Sequence, residues 1–160
     1  MAGTAKSTGA DITIVGRRIG YHSRNERIPY RTRRFRMIFR KGFLLYMFYN
    51  IRLFLFLLFH RFDIIVSNDL DTLPASWMAS KIKSSSLVYD SHEYFTGVPE
   101  LLGRRTVTAV WKKIEGAVFP GLKNVITVSD SIADLYQQQY GIRPMVVRNC
   151  SAGVRGIEPY

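Results

Sequence analysis

Two clusters of titratable side chains in this 160-residue chain each follow a short apolar run, and they are the residues that could do chemistry. Asp69 and Asp71 follow the run at 63–66, and Asp90-Ser91-His92-Glu93 follows the run at 87–89. A histidine beyond a strand end can act as a general acid or base, because its pKa lies near neutrality. Two carboxylates one residue apart can hold Mg²⁺ or Mn²⁺ through oxygen.

Both clusters also have structural explanations. Asp71 or Thr72 can cap a helix whose first turn contains Pro74, and Asp69 can make a local hydrogen bond within the loop. The Asp-x-Asp pair is too short to specify a metal, and the zinc signature His-Glu-x-x-His would need a histidine in place of Thr96. We therefore predict no metal site and take His92 as the candidate catalytic residue.

The elements that must position these residues follow from the hydrophobic pattern. Short apolar or β-branched runs predict strands at 11–15, 64–67, 87–89, 124–128 and 145–147, and longer segments predict helices at 43–59, 73–81, 106–119 and 130–140. Ser129 is expected to cap the last helix and Gly141 to end it. Strands alternate with helices and lack a period of two. This pattern is typical of a doubly wound α/β fold with a mainly parallel, Rossmann-like sheet.

The charge of the chain is concentrated in its first part. The net charge is +11, and residues 1–61 hold 13 Lys/Arg against 2 Asp/Glu, whereas residues 62–160 hold 10 of each. A basic group precedes the apolar run at 43–59: Arg31, Arg33, Arg34, Arg36, Arg40 and Lys41. Such a segment favours an anionic membrane surface, with nucleic acid as the less expected partner and a solvated basic face as the structural alternative.

The apolar run at 43–59 is long for a buried helix and short for a membrane span. Asn50 and Arg52 interrupt it, and an arginine at the centre of a spanning helix costs about 2.5 to 3.5 kcal/mol on insertion scales. We expect a helix that packs against a sheet, with aromatic side chains able to reach a membrane interface. The structural alternative is a wholly buried helix with no lipid contact.

Several other classes of site are disfavoured by the sequence. Gly16-Arg17-Arg18 lacks the glycine spacing of a dinucleotide or Walker phosphate loop. The only cysteine, Cys150, has no nucleophile motif around it and excludes an intramolecular disulfide, which fits a reducing cytosol. The first ten residues lack the apolar core of a signal peptide.

Taken together, the ordered motifs resemble the N-terminal domain of family-4-type glycosyltransferases with the GT-B fold. The resemblance covers roughly residues 9–150 and rests on five segments, which are Gly9 to Arg18, Asp63 to Asp69 with Leu73-Pro74-Ala75, Val88 to Glu93, Val125 to Ala133, and Tyr140-Gly141 with Val146 to Asn149.

The resemblance implies transfer of a sugar from a nucleotide-sugar donor to an acceptor hydroxyl, with retention at the anomeric carbon and no cofactor or obligatory metal. It implies that His92 faces the transferred sugar and that four residues at strand ends contact substrate: Asn68, Asp69, Glu93 and Ser129. It also implies an acceptor that is lipid-linked or a polysaccharide, as in cell-envelope or glycolipid biosynthesis. The expected location is cytoplasmic, peripheral on the inner face of the cytoplasmic membrane.

The sequence also departs from the family pattern. A full member begins with a strand, a glycine-rich loop and a helix, whereas this chain starts at the tail of that helix, so we expect the first strand of the sheet to be missing. Residues 1–150 are thus expected to form an incomplete Rossmann-like domain, followed by an unmatched tail at 151–160 and no donor domain. We expect the chain to be inactive alone. The alternative is a non-enzymatic basic α/β module that binds membranes or nucleic acid.

Overall fold

In the computed structural model of the chain, residues 9–18, 30–95 and 105–148 are described. The predictions for Cys150 and for the tail at 151–160 lie outside these residues. The chain divides into two compact units, Met1–Arg61 and Phe62–Tyr160, and each has its own parallel sheet. The sheets and helices confirm the predicted α/β class.

Unit 1 consists of two parallel strands and one long helix. The strands are β1, Thr13–Arg17, and β2, Arg31–Phe35, and the helix is α1, Phe43–Phe59. The helix has the predicted bounds. It buries Leu45, Tyr49, Leu53 and Leu57, which are four residues apart and therefore share one face. Phe35 of β2 packs edge-on against Tyr49 and Phe56 of this helix, so the strand pair and the helix share a core.

Arg52, which interrupts the apolar run of α1, has a structural role. Its Nη1 donates a hydrogen bond of 2.9 Å to the carbonyl of Arg36, just beyond β2. Its guanidinium also lies 5.2 Å from the ring centre of Phe35 and 5.8 Å from that of Phe48, which are cation–π distances. Among the described residues, no helix has the length and apolarity needed to cross a membrane.

Two expectations for unit 1 were wrong. The first strand was expected at 11–15 as a buried strand, but it runs two residues later, and Ile14 is 41% exposed. The second strand was missed, because its sequence Arg-Thr-Arg-Arg-Phe has only one buried residue and no apolar run. Its pairing with β1, Thr13 opposite Arg31, makes it a strand despite its composition.

Unit 2 is a four-stranded parallel sheet in the order β3-β4-β5-β6 with three helices. Its strands are β3, Ile64–Asn68; β4, Ser86–Ser91; β5, Asn124–Thr127; and β6, Met145–Val146. Its helices are α2, Leu73–Lys83; α3, Arg105–Val118, continued by a 3₁₀ turn at Phe119–Gly121; and α4, Asp130–Tyr140. Within the described residues, β1 and β3 each pair on one side only.

The helix boundaries in unit 2 follow local sequence signals. Ser129 caps α4 by accepting a hydrogen bond from the N–H of Ile132, and Gly141 ends it with a positive φ of 72°, both as predicted. Of the two predicted N-cap candidates, Asp71 and Thr72, Thr72 is the N-cap of α2, and no side-chain hydrogen bond caps that helix.

Two of the larger apolar residues of α2 lie outside its buried side. Met78 and Ile82 are 43% and 64% exposed. The residues that the helix buries are mostly small, namely Leu73, Ala75, Ser76, Ala79 and Ser80. Small side chains allow the helix to lie close to the sheet.

An aromatic cluster with one carboxylate forms the core beside α3 and α4. The ring of Phe119 stacks on Tyr136 and Tyr140 at 4.5 and 4.6 Å and meets Tyr89 edge-on. Glu115 is fully buried there, and Tyr140 donates a 2.9 Å hydrogen bond to its Oε2. Burial raises the pKa of all three tyrosines, and for Tyr140 the Glu115 carboxylate adds to this effect.

These tyrosines should make the fold sensitive to alkali. Because the folded state raises their pKa, they stabilise the fold fully below their unfolded pKa of about 10, and this contribution is lost as the pH rises above it. We expect the free energy of unfolding to fall steeply above about pH 10, and phenolate absorbance to appear in two steps. Tyr136→Phe should weaken this dependence. A single step at the ordinary tyrosine pKa, with stability unchanged, would contradict the burial of these groups.

Candidate active site

The candidate residues lie at the carboxyl edge of three neighbouring strands. Asn68 ends β3 and Asp69 follows it, His92 and Glu93 follow β4, and Ser129 lies just beyond β5. Because the strands are parallel and adjacent, these five positions share one edge of the sheet. Ligands of open α/β sheets bind outside this edge.

Asp69 joins the ends of β3 and β4. Its backbone is in the left-handed region, with φ of 59°, and its N–H donates to the carbonyl of Asp90 at 2.9 Å. Its carboxylate Oδ1 accepts a hydrogen bond of 3.2 Å from the backbone N–H of His92. The local loop hydrogen bond predicted for Asp69 is therefore present, and it fixes the backbone of the candidate catalytic residue.

The side chain of His92 is held by a buried carboxylate. Its Nε2 lies 3.2 Å from Oδ2 of Asp90, whose side chain is only 4% exposed, whereas that of His92 is 38% exposed. A buried carboxylate this close to one ring nitrogen orients the imidazole. The pair can therefore present the other nitrogen, Nδ1, to a ligand as a proton donor or acceptor.

The carboxyl of Asp69 is less readily ionised than usual. Burial is the main cause that raises its pKa, and the nearby Asp90 carboxylate acts in the same direction more weakly. The hydrogen bond from the His92 N–H and the charge of His92 oppose the shift. Asp69 is thus a half-buried group whose protonation is coupled to this site.

Ser91 anchors the turn between Asp90 and His92 to the core. Its Oγ donates to the carbonyl of Glu93 at 2.8 Å and lies 3.0 Å from the hydroxyl of Tyr136 on α4. Its own carbonyl accepts a 2.9 Å hydrogen bond from Thr127 of β5. One residue therefore ties the loop after β4 to both the next strand and the last helix.

The turn has a second anchor three residues further on. The hydroxyl of Tyr94 donates to Oε1 of Gln139 at 2.6 Å, and its ring meets that of Tyr136 edge-on at 5.6 Å. The orientation of the His92 loop thus depends on contacts with α4 that are 45 residues away in sequence.

The structure brings only some of the predicted site residues together. Asp69 and His92 are in contact, and Asn68 and Glu93 are exposed on the same edge. The Oγ of Ser129 is 3.0 Å from that of Ser131 and accepts from Ile132, so its observed role is to cap α4.

The predicted membrane residues all lie in unit 1. They are exposed, three on β2 and three between β2 and α1: Arg31, Arg33, Arg34, Arg36, Arg40 and Lys41. Among them, Arg31 pairs with Asp11 at 3.4 Å.

Asp90 and Ser91 belong to the titratable cluster noted in the sequence, but no role in the site was predicted for either of them. Asp90 and His92 are two residues apart at the end of a strand, so the period of two places them on the same side. That spacing was a usable signal for Asp90. The role of Ser91 had no such signal, since its partners Thr127 and Tyr136 come from distant segments.

No metal centre is evident in the part of the chain that the structure describes, where no three His, Cys, Asp or Glu side chains form a group that could hold an ion. Asp69 is engaged with His92, so the Asp-x-Asp pair has a structural use.

The fold and this edge can be compared with known protein families. The family model Glycosyltransferase Family 4 matches residues 1–151, which is nearly the whole chain. The chain belongs to this family. No curated protein matches it at a significant level. The Asp90–His92 pair therefore lies within a family-4 glycosyltransferase domain, and the predicted resemblance is confirmed. The parallel α/β sheets of the family-4 domain agree with half of a GT-B fold.

Asp69→Asn should stabilise the family-4 domain at neutral pH. Asparagine tolerates the left-handed backbone and keeps the oxygen that accepts from His92, but it has no charge to desolvate. We expect a gain of up to about 1 kcal/mol in the free energy of unfolding at pH 7, discounted for partial exposure. Because the pKa of Asp69 is raised in the folded state, this carboxyl stabilises the fold at a pH below its unfolded pKa. That stabilisation is lost as the pH rises through its folded-state pKa. The stability that Asp69→Asn gains at pH 7 should therefore shrink on acidification.

The measurement is urea unfolding at pH 7 and near pH 4. Asp63→Asn, which alters an exposed carboxyl at the other end of β3, is the control and should change little. A destabilised Asp69→Asn variant at pH 7 would show that the charge is needed for the fold.

Proposed function

We propose that the chain is the acceptor-side domain of a retaining glycosyltransferase, which transfers a sugar from a nucleotide-sugar donor to an acceptor hydroxyl. The observation that carries the proposal is the His92 side chain, held by the buried Asp90 at the carboxyl edge of a parallel sheet within a family-4 domain.

The chemistry of the pair suits a sugar ligand. Nδ1 of His92 has no hydrogen-bond partner among the described residues, and the ring is partly exposed. A positioned imidazole can donate to a sugar oxygen or take a proton from an attacking hydroxyl, and such a group contributes about 10²- to 10⁴-fold to rate. Asp90 acts as a positioning residue, because it holds the ring without being exposed itself.

Substrate contacts are assigned to polar groups that flank His92. Asn68, Asp69, Glu93 and Ser129 offer amide, carboxyl and hydroxyl oxygens on the same edge, and sugars are recognised by such groups. Donor binding is assigned to a second, nucleotide-binding domain, so that this chain alone is inactive. The acceptor is proposed to be lipid-linked or a polysaccharide, as in cell-envelope or glycolipid synthesis.

The test uses the family-4 domain joined to a nucleotide-binding domain of a GT-B enzyme that turns over nucleotide-sugar. His92→Ala should lower kcat by about 10²-fold or more, and Asp90→Asn by about tenfold or more with a smaller effect on KM. Asp63→Asn at the opposite end of β3 is the matched control and should keep its rate. An unchanged rate for His92→Ala would remove this residue from the site.

We also propose that unit 1 is the surface that meets a membrane, at the inner face of the cytoplasmic membrane. Support comes from the exposed basic residues around β2 and from a row of exposed apolar side chains on α1: Phe43, Met47, Ile51, Leu55 and Phe59. These five are four residues apart and so share one face. A face with apolar and cationic groups suits anionic lipid.

Flotation with anionic vesicles tests this proposal. The double change Phe43→Ser and Phe59→Ser should lower partitioning about tenfold or more, since burying one such side chain is worth roughly 1.5 to 3 kcal/mol. The matched control is Met78→Ser with Ile82→Ser, which alters two exposed apolar residues of α2. Equal loss in both variants, or tighter binding to DNA on filters than to vesicles, would contradict a membrane role for α1.

A further inference from the structure

Unit 1 contains a cleft whose polar lining consists of arginines. We propose that this cleft is a binding site for a phosphate monoester, formed by Arg17, Arg18, Arg36 and Arg40. The proposal concerns unit 1 alone and does not depend on the proposed sugar transfer, which rests on His92 in unit 2.

The four arginines converge because of the strand pairing. Arg17, the last residue of β1, is opposite Phe35, the last of β2, and the N–H of Arg18 donates to the Phe35 carbonyl at 2.9 Å. Arg18 and Arg36 therefore leave the sheet side by side, at the spacing of neighbouring strands, about 4.8 Å. The cleft beyond them is about 640 Å³ in volume, within the usual range for small-molecule sites.

Among the described residues, no carboxylate neutralises the positive charge in this cleft. The described part of unit 1 holds one carboxylate, Asp11, and it pairs with Arg31 on β2. No described acid lies within ion-pair distance of the four cleft arginines. Four guanidinium groups around one cleft repel each other, so an anion with more than one charge is the ligand that relieves this repulsion best.

The segment that carries two of these arginines is held in place. The carbonyl of Arg36 accepts the hydrogen bond from Arg52, and the Arg52 guanidinium is fixed in turn between Phe35 and Phe48. At the other end, Gly42 reaches the start of α1 with a positive φ of 79°, and its carbonyl accepts from the N–H of Leu45. A preorganised loop lowers the cost of binding.

The lining also indicates what the phosphate is attached to. Besides the arginines, the cleft is lined by Met37, Phe39 and Leu45. Guanidinium groups bind phosphate oxygens in pairs, whereas apolar side chains do not. The ligand should therefore combine a terminal phosphate with a less polar group, which describes both a soluble phosphate ester and the headgroup of a phospholipid with a terminal phosphate.

The chain offers a matched control for the number of charges removed. Lys112 and Lys113 lie on α3 of unit 2 and are exposed, and they do not line the cleft. The test variant is R17Q with R36Q, and the control is K112Q with K113Q. Circular dichroism and thermal melting establish that both are folded, and the single variant R40Q provides a second, milder change in the cleft.

The first arm uses phenyl phosphate in isothermal titration calorimetry on the whole chain. Each cleft arginine makes a charged hydrogen bond to the phosphate, so removing one should raise the Kd for phenyl phosphate roughly tenfold. The control variant should change this Kd less than about twofold. R40Q should fall between the two.

The second arm distinguishes the source of the phosphate. Vesicles containing phosphatidic acid, a monoester, are compared with vesicles containing phosphatidylglycerol, a diester, at matched surface charge. A preference for phosphatidic acid that R17Q/R36Q abolishes and K112Q/K113Q retains supports a lipid headgroup in the cleft. Binding of phenyl phosphate with no lipid preference supports a soluble phosphate ester.

Two outcomes would overturn the site. One is the absence of both phenyl phosphate binding and a lipid preference. The other is an equal loss in the cleft and control variants, since that result would show a diffuse basic surface that attracts anions without a defined site.

Discussion

The arrangement at the candidate active site depends on the burial of the Asp90 carboxylate. A charge removed from water must be compensated locally, because leaving it unpaired costs several kcal/mol. His92 supplies this compensation, but only if the chain turns back after β4 and brings Nε2 within 3.2 Å. The turn is fixed by the Asp69 carboxylate on its N–H and by Ser91 and Tyr94, which bind α4. One buried charge therefore links three strands and a helix.

The two units treat charge in opposite ways. In unit 2, each of the buried carboxylates Asp90 and Glu115 has a partner: His92 lies beside Asp90, and Tyr140 donates a hydrogen bond to Glu115. In unit 1, the charges remain on the surface and the described residues provide one acid for all of them. The proposed catalytic residue therefore lies in the unit whose buried carboxylates have partners, and the proposed anion site lies in the unit where the described residues hold few carboxylates.

Features encoded by neighbouring residues could be predicted from the sequence, and those that depend on distant contacts could not. The Ser129 cap, Gly141 and the bounds of α1 follow from local signals and were correct. The strand β2 was missed because only its pairing with β1 makes it a strand. The place of His92 just beyond a strand was predicted from the apolar run before it. The contact between Tyr136 and Ser91 was not, since a tyrosine within an amphipathic helix does not indicate which serine it meets.

The left-handed backbone of Asp69 restricts how this site can diverge among related sequences. At φ of 59°, glycine, asparagine and aspartate are tolerated, whereas β-branched residues are strongly disfavoured. Of the three tolerated residues, glycine lacks the oxygen that accepts from the His92 N–H. Substitution at this position is therefore limited to aspartate and asparagine, one charged and one neutral side chain of nearly the same shape. Evolution can change the charge beside His92 here while keeping the backbone that presents it.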